Sequence, residues 1–192
     1  MAETIAHKVR ADAKMWARAW KLELTFGLFL RLFLLEPGFQ LAFSLRVMEL
    51  AAKVPGIGKI LRRLVWYMTA RSFGCDIGVE VQAGGGLYFP HPFGIVIHSH
   101  SKIGRNVTLL QNVTLGIVDP SNPGCPVLEQ GAWVNAGAKL LGPVIIGADA
   151  VIGANAVVLV DVPANSVAVG VPARVLPKKA ARVNSSISAH PQ

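Results

Sequence analysis

The sequence predicts a mainly β protein, built as a solenoid of six-residue repeats and preceded by an N-terminal helical segment. Three observations predict it. From Ile77 onward an aliphatic residue recurs every sixth position, the beat is interrupted once by a turn-rich loop and resumes, and residues 1–71 instead show helical spacing and most of the net charge.

The repeats read IGVEVQ, AGGGLY, FPHPFG and IVIHSH from Ile77, then, after a two-residue slip at Ser101-Lys102, IGRNVT, LLQNVT and LGIVDP. They resume as LEQGAW, VNAGAK, LLGPVI, IGADAV, IGANAV, VLVDVP, ANSVAV and GVPARV. The leading position is aliphatic in most repeats, the second is often small, and the fifth is usually Val or Ala. Neither a helix at 3.6 residues per turn nor a simple alternating strand has this period. It suits short flat sides that each point one aliphatic residue inward. Each coil then buries its neighbour's face, so stacking supplies the core. A chain of 192 residues, 52% hydrophobic, is long enough for that core.

The organisation follows as a helical segment over 1–73, repeats over 74–176 with a loop at 116–127, and a basic tail over 177–192. Residues 1–71 hold twelve Lys/Arg against five Asp/Glu, and the remainder seven against six, so basicity belongs to the helical segment. Trp16, Trp20, Leu24 and Leu28 predict a helix over Ala11 to Leu35, which Glu36-Pro37-Gly38 breaks. A second helix is expected from Phe39 to Lys53 before Pro55-Gly56, and a third from Ile60 to Phe73. The apolar run Leu22 to Leu35 carries Glu23 and Arg31 and falls short of the ~20 residues that span a bilayer. These helices either pack on each other or on another subunit, or else rest Arg31, Arg46, Lys59, Arg62 and Arg63 on an anionic membrane surface.

Two cysteines, Cys75 and Cys125, make no disulfide framework, and the N-terminus lacks the order of a secretory signal. A cytoplasmic protein is expected, at the inner-membrane periphery under the membrane-facing reading of the helices, with no nucleic-acid partner. The sequons at Asn106, Asn112 and Asn184 then carry no weight. Breaks in a solenoid are where function collects, because insertions emerge as loops on one face. The break at Gly116 to Val127 contains Asp119-Pro120, Pro123-Gly124 and Cys125-Pro126, all turn-forming, and suits the wall of a cleft.

The stretch H-P-F-G-I-V-I at His91 to Ile97, I-G-R-N-V-T-L-L-Q-N-V-T-L-G at Ile103 to Gly116, G-A-K-L-L-G at Gly137 to Gly142 and G-V-P-A-R at Gly170 to Arg174 resemble the serine acetyltransferase branch of the hexapeptide-repeat acyltransferases. The resemblance covers about residues 36–179. It implies a left-handed parallel β-helix, a homotrimer, and acetyl-CoA as cosubstrate in the groove between subunits, with no metal.

It also implies His91 as the general base that removes the acceptor hydroxyl's proton, work an imidazole does near neutral pH. Asp76, fifteen residues earlier, would orient the ring and stabilise the imidazolium. Stacking of an eighteen-residue coil would offset the two by three residues, so this pairing rests on the resemblance alone. Ala136, Gly137 and Ala154 would line the pantetheine channel, and Arg174, Lys178 and Lys179 would meet the nucleotide phosphates. Ordinary tight coil packing accounts for the small residues equally well. His98 and His100 match nothing in the family and read as structural, and Cys125 reads as a small apolar loop residue.

Two departures bear on the acceptor. The family keeps an aspartate before the base for the substrate's ammonium, and an Arg-His-Pro triplet in the loop. Here Pro90 and Gly124-Cys125-Pro126 stand instead. An amino acid needs both an anion and a cation in its site. With Pro90 and Cys125 as acceptor-site residues, the chain is similar to polysaccharide-directed members such as colanic-acid acetyltransferase. The expectation is therefore an acetyl-CoA O-acetyltransferase acting on a small-molecule or lipid-linked sugar. Serine O-acetylation is the alternative; a zinc carbonic anhydrase-like site or an inactive scaffold is more distant.

Overall fold

The computed structural model describes residues 3–121 and 124–177; the expected tail, with Lys178 and Lys179, lies outside them. Four helices come first: α1 Ile5–Ala19, α2 Phe26–Leu35, α3 Pro37–Ala51 and α4 Gly58–Phe73. The single helix expected from Ala11 to Leu35 is two. Lys21 adopts a left-handed φ of 56°, and Thr25 starts α2 as its N-cap, its hydroxyl accepting from Leu28 N at 3.1 Å. The Trp16–Leu28 spacing runs straight through this break and so concealed it. Pro37 at the first turn starts α3, where its missing N–H costs nothing. Gly74, left-handed at φ 60°, ends α4 and turns the chain into the repeats.

From Asp76 on, short strands stack as the three sides of a prism. The first side holds Asp76–Ile77, Val96–Ile97, Thr114–Gly116, Lys139–Leu141 and Val157–Val158; the second holds Gln82–Ala83, Lys102–Ile103, Val127–Leu128 and Ile145–Ile146. The third holds Thr108–Leu109, Trp133–Val134, Val151–Ile152 and Ser166–Val169. Pairing is parallel until the end, where Arg174–Pro177 folds back antiparallel on Ser166–Val169. The final repeat is thus a hairpin rather than another coil side.

Inward-pointing residues fall six apart at Ile77, Ala83 and Phe89, then at Ile97, Ile103, Leu109 and Leu115, and again from Leu128 to Val158. The step from Phe89 to Ile97 is eight. Ile77 pairs with Ile97 and Tyr88 with Thr108, twenty residues on, whereas Ile97 pairs with Leu115, eighteen on. The two additional residues therefore sit between Phe89 and Phe93 and not at Ser101-Lys102, where the sequence placed them. Ile95 and Ile97 are 0% and 2% exposed, so either could have led the repeat, and only the register decides.

The helices close one end of the prism. Leu41, Ala42, Leu45 and Met48 of α3 share a core with Ile77, Ala83 and Leu87, while Trp16, Leu28, Leu32 and Phe39 form a second cluster among α1, α2 and α3. Arg46 is 1% exposed: its guanidinium donates to both oxygens of Asp12 at 2.9 and 3.0 Å and to Ala83 O and Gly84 O. Asp12 also accepts from Gly86 N and Leu87 N, each at 2.8 Å. Arg46 is thus a buried tie between helices and coils and belongs to no membrane-facing set. Arg62 likewise points inward, donating to Val79 O.

Among the described residues no single helix is long and apolar enough to cross a membrane; α2 and α3 pass such a test only as a pair bent by 90°.

Candidate active site

The edge between the third and first sides collects Pro90, His91, Ala136, Gly137 and Ala154 of the sequence-predicted residues. Its corners are 89–95, then Gln111-Asn112, then Asn135-Ala136-Gly137, then Gly153-Ala154-Asn155. Register links them: a Cβ on Gly94 would strike Asn112 Oδ1 at 2.2 Å, and one on Gly137 would strike Asn155 Oδ1 at 2.0 Å. Only glycine lets each corner nest under the asparagine above, and Gly137 needs its φ of 75° besides. Strands are about 4.8 Å apart, so three rungs from the His91 corner to Ala154 span about 14 Å, a run suited to an extended acyl-carrier arm.

His91 is exposed on the corner that the two additional residues enlarge. The corner is held from beneath. Phe93 N donates to His91 O at 2.9 Å, the Cys75 thiol donates to Pro92 O at 3.3 Å, and Ile95 N donates to Cys75 Sγ at 3.4 Å. Gly38 at the start of α3 abuts Phe89 so closely that a Cβ there would lie 1.9 Å from Phe89 O. Burial pushes the Cys75 thiol above its ordinary pKa, which suits a packing role. Sequence reasoning passed over Cys75, although its place beside Asp76 was a usable signal.

Asp76 starts the first side and stacks under Val96, five residues past His91. Its Oδ1 accepts from Trp66 Nε1 at 3.0 Å, and the Arg63 guanidinium lies 4.0 Å over the Trp66 ring. In this structure no hydrogen bond or ion pair joins Asp76 to His91. Trp66, the carboxylate's holder, had no signal in the sequence beyond its helical spacing.

Ala136 is half-buried and Ala154 exposed. Gly137 N is committed to Gln111 O at 2.9 Å, and Ala136 O accepts from Asn155 N at 2.9 Å, so stacking uses those groups. Between the His91 and Ala136 corners, Gln111 buries its Oε1 without a partner, a cost of about 1–3 kcal/mol that a donor from a bound molecule would relieve. At the top of the edge Val157 N donates to Gly170 O at 3.0 Å and Ala173 N to Val157 O at 2.8 Å. This pins the hairpin that presents exposed Arg174.

Pro90 and Cys125 do not meet. Pro90 lies on this edge, whereas Cys125 precedes the second-side strand Val127–Leu128, on the next edge of the prism. Burial pushes the Cys125 thiol up, away from nucleophile behaviour. A groove of about 630 Å³ between α3, α4 and Phe93 is apolar and does not include His91.

Comparisons with known proteins bear on the family and the fold. Residues 125–159 match the family model for the bacterial transferase hexapeptide, six repeats. A serine acetyltransferase of Helicobacter pylori is 39% identical over 123 residues, which is 64% of this chain and 70% of that protein. The chain belongs to the serine acetyltransferase family of hexapeptide-repeat transferases. Another member, from Haemophilus influenzae, is 42% identical over 55% of this chain, but the chain spans only 40% of its length. Among solved family structures, a serine acetyltransferase in complex with CoA superposes with TM-score 0.78 at 32% identity, covering 90% of this chain and 69% of its own. That of Neisseria gonorrhoeae gives 0.76 at 28%, covering 90% and 64%.

The fold is therefore the left-handed parallel β-helix that the resemblance implied. The sugar-acceptor expectation is overturned: these relatives and structures are serine acetyltransferases, and the polysaccharide-directed likeness rested on two short loop positions against a chain-wide match.

Proposed function

We propose that the protein is an acetyl-CoA-dependent serine O-acetyltransferase, and that His91 is its general base. The single observation that carries this reading is the enlarged corner: two residues beyond the repeat lift His91 out of the prism wall, on the edge that also bears Ala136, Ala154 and Arg174. The hydroxyl of serine attacks the thioester carbonyl while His91 takes its proton, and the CoA thiolate leaves. One chain gives His91 an open surface, and a homotrimer with a neighbouring subunit across this edge supplies the missing wall.

Offering purified protein acetyl-CoA with free serine and following CoA-thiol release tests the reading. Serine-dependent release is expected, and none at millimolar serine would sink it. Asp76→Asn should lower turnover less than removal of the base does, because the imidazole remains and only its orientation and charge stabilisation suffer. Reversing charge at Arg174, Lys178 and Lys179 together should raise KM for acetyl-CoA more than for a donor lacking the nucleotide, since cations there would hold phosphates. Equal losses for both donors would place the damage elsewhere.

We also place the enzyme in the cytoplasm, in peripheral contact with membrane through α2. Phe26 is 82% exposed and Leu35 68%, with Arg31 beside them. Cosedimentation with anionic vesicles checks this, and protein left wholly in the supernatant would refute it.

A further inference from the structure

The edge between the first and second sides carries a cluster of ligand-bearing side chains away from the His91 corner. His98 opens the turn there, its amide donating to Leu115 O at 2.8 Å, and Ser101 N closes the turn on His98 O at 2.9 Å. The 116–127 excursion leaves the coil above at that point and returns at Pro126, whose carbonyl accepts from Lys102 N at 3.2 Å. Both ends of the loop are thus fastened to one turn. The return lays Cys125 Sγ 3.1 Å from His98 Nδ1, and the His98 and His100 rings meet edge to face at 5.3 Å. One ligand atom from each of His98, His100 and Cys125 lies within 4.8 Å of the other two. Glu80 adds an anion, its carboxylate 3.7 Å from His100 Nε2.

We propose that His98, His100 and Cys125 form a binding site for a divalent transition metal of the zinc class, which clips the 116–127 loop to the coil. One thiolate and two imidazoles suit zinc and its neighbours and not the oxygen-seeking magnesium or calcium. Around a tetrahedral ion with bonds of about 2.0–2.3 Å, ligand atoms stand about 3.3–3.8 Å apart. The observed spacings bracket that range, so small side-chain rotations close the site. Cys125 gives its proton to solvent as the sulfur–metal bond forms. Three protein ligands leave a fourth position for water, and the Glu80 carboxylate supports the His100 imidazole from outside. A thiol–imidazole hydrogen bond alone would need neither His100 nor Glu80.

The test titrates chelator-treated protein with Co2+ and then Zn2+, reading thiolate-to-cobalt charge-transfer absorption and bound metal, both independent of serine acetylation. One equivalent per chain is expected, with the cobalt band displaced by zinc. Cys125→Ser should abolish the band, His98→Ala should weaken zinc binding by more than about a hundredfold, and Glu80→Gln by about ten- to a hundredfold. Should His98→Ala misfold by circular dichroism, His100→Gln at an exposed position carries the same expectation. No uptake of either metal at micromolar concentration, or equal uptake by Cys125→Ser and wild type, overturns the proposal.

Discussion

Replacing His91 by alanine is expected to lower kcat by about a hundredfold or more, the usual loss when a general base is removed, while acetyl-CoA still binds. The two halves of the result follow from the edge. The imidazole stands alone on its enlarged corner, with its backbone held by Phe93, so truncating it removes a proton acceptor and little packing. The small residues of the upper corners and Arg174 lie on other coils and are untouched. Steady-state kinetics with calorimetric measurement of CoA binding check both. Wild-type turnover in a folded variant would remove His91 from the mechanism, and lost CoA binding would mean that the corner shapes the coenzyme site instead.

Asp12→Ala should destabilise the fold by about 3–5 kcal/mol, because it strands the Arg46 guanidinium in the interior. Both side chains are 1% exposed, and the carboxylate serves α3 and the backbone of Gly86 and Leu87 together. Arg105→Ala offers the contrast. Its ion pair with Glu3 joins the same two layers, but Arg105 is 56% exposed, and the cost should stay within about 1 kcal/mol. Urea unfolding at one fixed protein concentration compares the two variants, since any assembly makes stability concentration-dependent. Similar losses for both would show that the buried pair ties nothing together.

The prism was legible in the sequence because its period is covalent: six residues per side show in any frame of reading. The frame itself was less so. Ile95 and Ile97 both point inward across one coil side, and no local property says which of them heads a repeat. The error moved the two additional residues away from the one corner where they matter. Helix boundaries hid in the same way, since Trp20 and Leu24 extend the apolar spacing of α1 across a left-handed Lys21. His91 was found through its motif. The supports of its corner, Cys75 and Gly38, and the partner of Asp76, Trp66, come from the helical layer and the link that leaves it, and their roles exist only once that layer docks. The cluster of His98, His100 and Cys125 was the least accessible. Its members are joined by a loop that leaves the solenoid and returns, so their meeting depends on hydrogen bonds at the loop's two ends and not on any spacing along the chain.

The enlarged corner separates the ability to fold from the ability to react. The buried leading positions Ile77, Ala83 and Phe89 before the corner, and Ile97, Ile103, Leu109 and Leu115 after it, keep the six-residue rule, so the excess is spliced between coil sides without shifting what either side buries. A lineage could therefore gain or shed such an excursion in one small insertion or deletion while the stacked coils stay soluble and intact. Inactive hexapeptide proteins would then be neighbours of active ones at a distance of two codons, and corner length would be a better guide to which is which than overall similarity.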